Sequence, residues 1–139
     1  MMKYTIMRNL DLISEELDFS ISSIKKYALT MIAVAREIAL LSKCGEGRQH
    51  ACVLAVEGAY IVSTGYNGPA HKMEHCNTCN YTPSSICPAI HAEENAIINL
   101  ARNGGGGTVG KNMVAYITKK PCKKCLEILF NAGITTLVF

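Results

Sequence analysis

Apolar residues recur every three or four positions at Ile21, Ile24, Leu29, Ile32, Ala35, Ile38 and Leu41, which predicts a packing helix from near Ser20 to about Ser42. The stretch Lys43-Cys44-Gly45-Glu46-Gly47 supplies its stop. The pattern then changes period. Ala51 to Glu57 and Tyr60 to Thr64 are β-rich runs parted by the turn-competent pair Glu57-Gly58, and together they predict a hairpin. From Gly65 to Pro88 neither period persists, and the segment holds three Cys and two His. A loop of that length inside a small domain usually carries function or a metal. Glu93 to Arg102 reads as a helix ended by Asn103, with Gly104 to Gly107 as a flexible connection. That glycine run lacks the Gly-Lys-Ser/Thr ending of a phosphate loop. Met113 to Thr118 predicts a strand, Pro121 to Asn131 a helix stopped by Gly133, and Ile134 to Phe139 a second strand. These last elements form a β-α-β unit, for which a right-handed crossover between parallel strands is the default.

Composition narrows the class. The chain has 139 residues, 49% of them hydrophobic, enough for one soluble domain with an ordinary core. Seven cysteines are an odd number for a disulfide framework, so thiols or metal ligands are the better reading. A net charge of +3 is too small and dispersed to imply nucleic-acid binding. Lys3, Arg8, Asp11, Glu15 and Glu16 interrupt the first residues, which is wrong for a secretory leader, and no apolar run is long enough to span a bilayer. The expected compartment is a reducing cytoplasm.

Two segments carry the chemistry: His91-Ala92-Glu93 at the start of one predicted helix, and Pro121-Cys122-Lys123-Lys124-Cys125 at the start of another. Each alone has an ordinary reading. A histidine at a helix start is commonly a cap, and a lone CxxC is a redox pair or half of a structural zinc site. Together they match the zinc-deaminase signature, H-x-E followed by P-C-x-x-C. One imidazole and two thiolates leave a tetrahedral Zn²⁺ with a fourth position for water, the open coordination of a catalytic centre. Pro121 is expected in the first helical turn, which places Cys122 and Cys125 near the positive end of the helix dipole. Helical spacing alone favours Glu94, three residues after His91, as the acid/base, whereas the signature selects Glu93.

The segments Cys87-Pro-Ala-Ile-His91-Ala-Glu93-Glu-Asn95-Ala-Ile, Pro121-Cys122-Lys-Lys-Cys125-Leu-Glu-Ile-Leu-Phe-Asn-Ala-Gly-Ile134 and Gly65-Tyr66-Asn67-Gly68-Pro69 resemble the deoxycytidylate (dCMP) deaminase family, over roughly Ala28 to the C-terminus. The resemblance implies a three-layer α/β/α cytidine-deaminase-like fold with a central mixed β-sheet, in which residues 20–139 form the catalytic domain and residues 1–19 an N-terminal extension. It implies hydrolytic deamination of dCMP to dUMP and ammonia, supplying dUMP for thymidylate synthesis, with Glu93 as acid/base and His91, Cys122 and Cys125 holding a catalytic Zn²⁺. The substrate side is expected to involve Gly65, Tyr66, Asn67, Gly68 and Ala92, with Asn67 on the sugar.

Arg48 is the first choice for the phosphate because a guanidinium binds it bidentately. Lys72, Lys119, Lys120, Lys123 and Lys124 lie near the same loops. His75, Cys76, Cys79 and Cys87 resemble a second, structural zinc site of some bacterial and phage-type members, with His71 as an alternative to His75. Cys44 and Cys52 read as packing residues. The resemblance also implies a homo-oligomer, commonly a hexamer, with dCTP and dTTP as effectors. The family pattern continues through a further strand and helix beyond Phe139, so nucleotide contacts supplied there are expected to be absent or replaced.

Two rivals follow from the same residues. One is another zinc deaminase acting on cytidine, guanine or tRNA adenosine. The other is a non-catalytic module with Cys76, Cys79, Cys122 and Cys125 closed around one zinc, which leaves His91 and Glu93 unexplained.

Overall fold

The computed structural model describes residues 5–8, 11–12, 21–45, 47–76, 87–108 and 111–139. Its elements run β1 (Thr5–Arg8), β2 (Asp11–Leu12), α1 (Ile21–Ala39), β3 (Ala51–Val56), β4 (Tyr60–Tyr66), α2 (Ala92–Arg102), β5 (Met113–Ile117), α3 (Lys123–Asn131) and β6 (Thr136–Val138). The glycine run expected as a flexible connection forms a 3₁₀ turn at Gly105–Thr108, closed by the Thr108 hydroxyl donating to the Gly105 carbonyl at 2.5 Å.

The strands form one mixed sheet in the order β2-β1-β6-β5-β3-β4. β3 is antiparallel to both β4 and β5, while β5, β6 and β1 run parallel. The predicted hairpin and β-α-β unit therefore share a sheet, and the 1–19 segment adds β1 and β2 at its far edge. Between β3 and β4, Glu57 and Gly58 take φ of 55° and 71°, the paired positive angles of a turn whose twist suits a hairpin. The buried Tyr116 hydroxyl donates to the Gly58 carbonyl at 2.8 Å and locks that turn to the sheet.

Every residue of β3 is buried, and its side chains alternate between two cores, as a strand's must. Val53 and Ala55, with Val114, Tyr116 and Val138, meet Ile24, Ala28, Met31 and Ala35 of α1. Cys52, Leu54 and Val56, with Met113, Ala115 and Ile117, meet Ala92 and Ala96 of α2 and Leu129 of α3. Helices thus cover both faces, giving the expected three layers. The inward stripe of α1 differs from the sequence expectation. Leu29 and Leu41 are 68% and 61% exposed, and Ala28, Met31 and Ala39 are buried instead. Ile24, Ala28, Met31, Ala35 and Ala39 follow the helical repeat more faithfully, and small alanines let the helix approach the sheet. No described helix is long and apolar enough to cross a membrane.

The contact between β4 and α2 is closer still. A Cβ at Gly65 would run into the backbone of Ala92 and Ala96 and lie 2.8 Å from the Asn95 carbonyl carbon. Strand and helix backbones touch there with no side chain between them. Ser63 Oγ donates to the Ala96 carbonyl at 2.7 Å, and Asn95 and Asn99 each donate from Nδ2 to β4 carbonyls, those of Tyr66 and Thr64, at 2.8 Å.

Gly65→Ala is expected to destabilise the fold by about 3 kcal/mol in urea titration, because the backbone of α2 must move. Tyr116→Phe should cost about 1–2 kcal/mol at pH 7 by leaving the Gly58 carbonyl unpaired. Burial pushes the Tyr116 phenol from 10.0 up to about 12. The proton is therefore held more tightly in the folded state, and the tyrosine's contribution is complete below pH 10 and lost as pH rises toward 12. The stability gap between the two proteins should close over that interval.

Candidate metal and ligand site

The N-termini of α2 and α3 meet beyond the C-terminal ends of β4 and β5 and the start of β3. His91 is the N-cap of α2, in extended conformation and with its side chain free of any capping bond. Cys122 is the N-cap of α3, and its Sγ accepts the Cys125 N–H at 3.4 Å. Pro121 accordingly precedes the cap and lies outside the first turn where the sequence reading put it. A cap thiolate satisfies an otherwise unpaired helix N–H, so the proline is displaced by one position while both sulfurs stay at the positive end of the helix.

Among the described residues, His91, Cys122 and Cys125 are the only three that bring ligand atoms together, all within 4.8 Å of one another. His91 Nδ1 lies 3.3 Å from Cys125 Sγ and 3.7 Å from Cys122 Sγ. A nitrogen and a sulfur bound at usual zinc distances with a tetrahedral angle between them stand about 3.6 Å apart, so the donors fit that ion. Burial raises the Cys125 thiol far above its ordinary value, and the Glu93 carboxylate and Cys122 push it further in the same direction. A thiolate in that place needs a compensating cation. The two further first-turn carboxylates then separate cleanly. Glu93 is buried and borders the cavity over the triad, whereas Glu94 points away and pairs with Lys124 Nζ at 3.8 Å.

The cavity measures about 400 Å³. Of the residues expected on the substrate side, Arg48, Asn67 and Ala92 line it, and Gly65, Tyr66 and Gly68 do not. Gly65 is taken up by the contact with α2, and Tyr66 faces solvent. Gly68 exchanges backbone hydrogen bonds with Ile90 at 3.2 and 2.7 Å. The Asn67 amide spans the start of β3, with Nδ2 donating to the Arg48 carbonyl at 2.7 Å and Oδ1 accepting the His50 N–H at 2.9 Å. Each group keeps one further hydrogen-bonding site for a ligand. Of the nearby lysines, Lys119 and Lys120 line the cavity and Lys72, Lys123 and Lys124 do not.

Sequence reasoning passed over His50 and Ile117, which also line the cavity; Cys44, read as a packing residue, is half-buried and borders the cavity as well. The Cys44 Sγ lies 3.9 Å from His75 Nε2. Both border a second cavity of about 110 Å³ with Cys76 and Cys87, but these four do not bring three ligand atoms to one point. Cys79, the remaining member of the expected second zinc set, lies outside the described residues, and His71 is exposed and borders neither cavity. Cys52 is fully buried in the core as expected, its thiol raised by burial and then by the charge of Glu93.

Residues 25–139 match the family described as the cytidine and deoxycytidylate deaminase zinc-binding region. The chain is 33% identical over 102 residues to a deoxycytidylate deaminase of Schizosaccharomyces pombe, a segment covering 66% of this chain and 30% of that protein. It therefore spans less than a third of that relative's length. Over 121 residues it is 27% identical to a deoxycytidylate deaminase of Mycobacterium phage D29, covering 78% of this chain and 89% of the phage protein. Its fold is shared with the dCMP deaminase of cyanophage S-TIM5, whose crystal structure contains dCMP and dUMP, at a TM-score of 0.63 and 20% identity over 82% of this chain and 83% of that one. A family match that runs from α1 to the last strand, across the segments that build the donor triad, means that the chain belongs to the cytidine and deoxycytidylate deaminase family.

Proposed function

We propose that the chain is a zinc-dependent hydrolase that converts dCMP and water to dUMP and ammonia. The observation that carries this reading is the convergence of one histidine and two cysteine donors in a cavity that also holds a buried carboxylate, Glu93. Relatives that bear the name deoxycytidylate deaminase support the choice of substrate. Three donors leave one tetrahedral position open, and a closed structural site would need a fourth from the protein.

Zinc held by His91, Cys122 and Cys125 would supply the Lewis acidity that makes water a nucleophile near neutral pH. The chain's own part is proton transfer. Glu93 takes a proton from the attacking water and passes it to N3 of the cytosine ring, then takes the remaining proton of the oxygen added at C4 and delivers it to the amino group, which leaves as ammonia as the C4 carbonyl forms. Its place in the first turn of α2 aims it into the cavity, while the ties from Asn95 and Asn99 to β4 hold that turn still. Ala92 and Ile117 give the cavity an apolar wall beside the donors. A reducing cytoplasm suits such a site, since every cysteine among the described residues is free and two of them must remain available as ligands. Deoxynucleotide effectors and a homo-oligomer belong to the same reading.

Purified protein is expected to release ammonia from dCMP in preference to cytidine, guanine and a tRNA substrate; turnover of one of those with none of dCMP would overturn the substrate assignment. Glu93→Gln should lower kcat by at least about 100-fold with zinc content, measured by mass spectrometry, unchanged. Cys125→Ala should instead lose one zinc per chain together with the turnover.

A further inference from the structure

The antiparallel register of β3 and β5 sets Cys52 opposite Ile117. Two residues further along the same face stand His50 and Lys119. Thr118 N–H donates to the Ala51 carbonyl at 3.1 Å, so the ladder continues past the strand ends and holds these two residues across from each other. The face changes character at that step. The pairs Leu54–Ala115 and Cys52–Ile117 are buried in the core beneath α2 and α3. His50 is half-buried, Lys119 is exposed, and both line the cavity that contains His91 and Glu93.

Among the described residues neither side chain has a carboxylate partner. The ion pairs among the described residues join Lys123 to Glu127 and Lys124 to Glu94. Those lysines lie off the cavity, while Lys119 and Lys120 line it without an acidic partner. The imidazole ring of His50 has no hydrogen-bond partner among the described residues, although its backbone N–H and C=O are both engaged by Asn67. Burial, and then the charges of Lys119 and His91, hold that ring below its ordinary value, so it stands neutral at pH 7 with a directed hydrogen bond to offer. An anion resting between the two side chains would accept a hydrogen bond from each.

We propose that His50 and Lys119 are a specificity-determining pair that reads the anionic end of the ligand, the phosphate of a nucleoside monophosphate whose base lies over His91, Cys122 and Cys125. This rests on the reading of the cavity as a nucleotide deaminase site. Lys119 supplies a charge-assisted hydrogen bond and His50 a second, neutral one, while Arg48 and Lys120 add positive potential to the same wall. A nucleoside without phosphate leaves the pair unanswered, so the discrimination between dCMP and deoxycytidine is set here.

The test compares wild type, Lys119→Met, Lys119→Arg and His50→Ala as zinc-loaded full chains. It measures kcat/KM on dCMP and deoxycytidine, and calorimetric binding of dUMP and deoxyuridine. Lys119→Met is expected to reduce the dCMP to deoxycytidine ratio by about 10- to 100-fold, mostly through KM, and to erase the same fraction of the preference for dUMP over deoxyuridine. His50→Ala should move both ratios in the same direction, and Lys119→Arg should restore most of what methionine removes. A proportional fall on both substrates, or ratios unchanged in both Lys119→Met and His50→Ala, overturns the proposal. If wild type turns over neither substrate but prefers dUMP to deoxyuridine, and Lys119→Met loses that preference, the assigned activity fails and the anion-reading pair stands. If wild type binds dUMP no more tightly than deoxyuridine, the pair is refuted whatever the turnover.

Discussion

The structure depends on how closely α2 lies on β4. At Gly65 the two backbones meet without a side chain between them, and the amides of Asn95 and Asn99 fix the helix along the strand. Helix position, not side-chain flexibility, therefore sets where His91 and Glu93 sit relative to the sheet. The sheet in turn sets where α3 begins, because β5 leads through Thr118 to Pro121 directly into the Cys122 cap. A metal site needs its donors placed to within a few tenths of an ångström. Here three donors from two helices achieve that because each helix is referenced to a neighbouring strand.

Much of this was legible in the residues. Runs of buried β-branched and small residues announced β3 and β5, and Glu57-Gly58 announced the turn. The spacing of His91, Cys122 and Cys125 announced the donors, since metal chemistry restricts residue types more sharply than packing does. Packing proved less legible. Leu29 and Leu41 looked like core positions by hydropathy and proved to be surface, because alanines at 28 and 39 carry the close face and alanine gives a weak hydrophobic signal. The contact that Gly65 makes with α2 was hidden for a related reason. A glycine beside a functional loop suggests a ligand, and only the third dimension reveals a helix backbone lying against it. Likewise, Cys44 and His75 are distant in sequence, and their approach follows from the path of the chain between α1 and β3.

The two candidate carboxylates illustrate how geometry settles what periodicity leaves open. Residues two apart on a helix diverge, which counts against Glu93 if the metal is imagined beside α2. The donors sit off its end, where the first turn opens toward the cavity, and there Glu93 is enclosed while Glu94 turns outward to Lys124. Charge is partitioned in the same way. Lysines on the flank of α3 pair with glutamates, whereas Lys119 and Lys120 on the cavity wall have no acidic partner among the described residues, so that wall favours an anion.

The hydrogen-bonded bridge between Gly68 and Ile90 joins the two ends of the long connection from β4 to α2. Because the chain is pinned at that neck, residues can be added or removed between positions 69 and 89 at a cost that grows only slowly with length, and His91 immediately beyond the pin keeps its place. A change in the length of that connection is thus taken up on the far side of the neck from the donor triad.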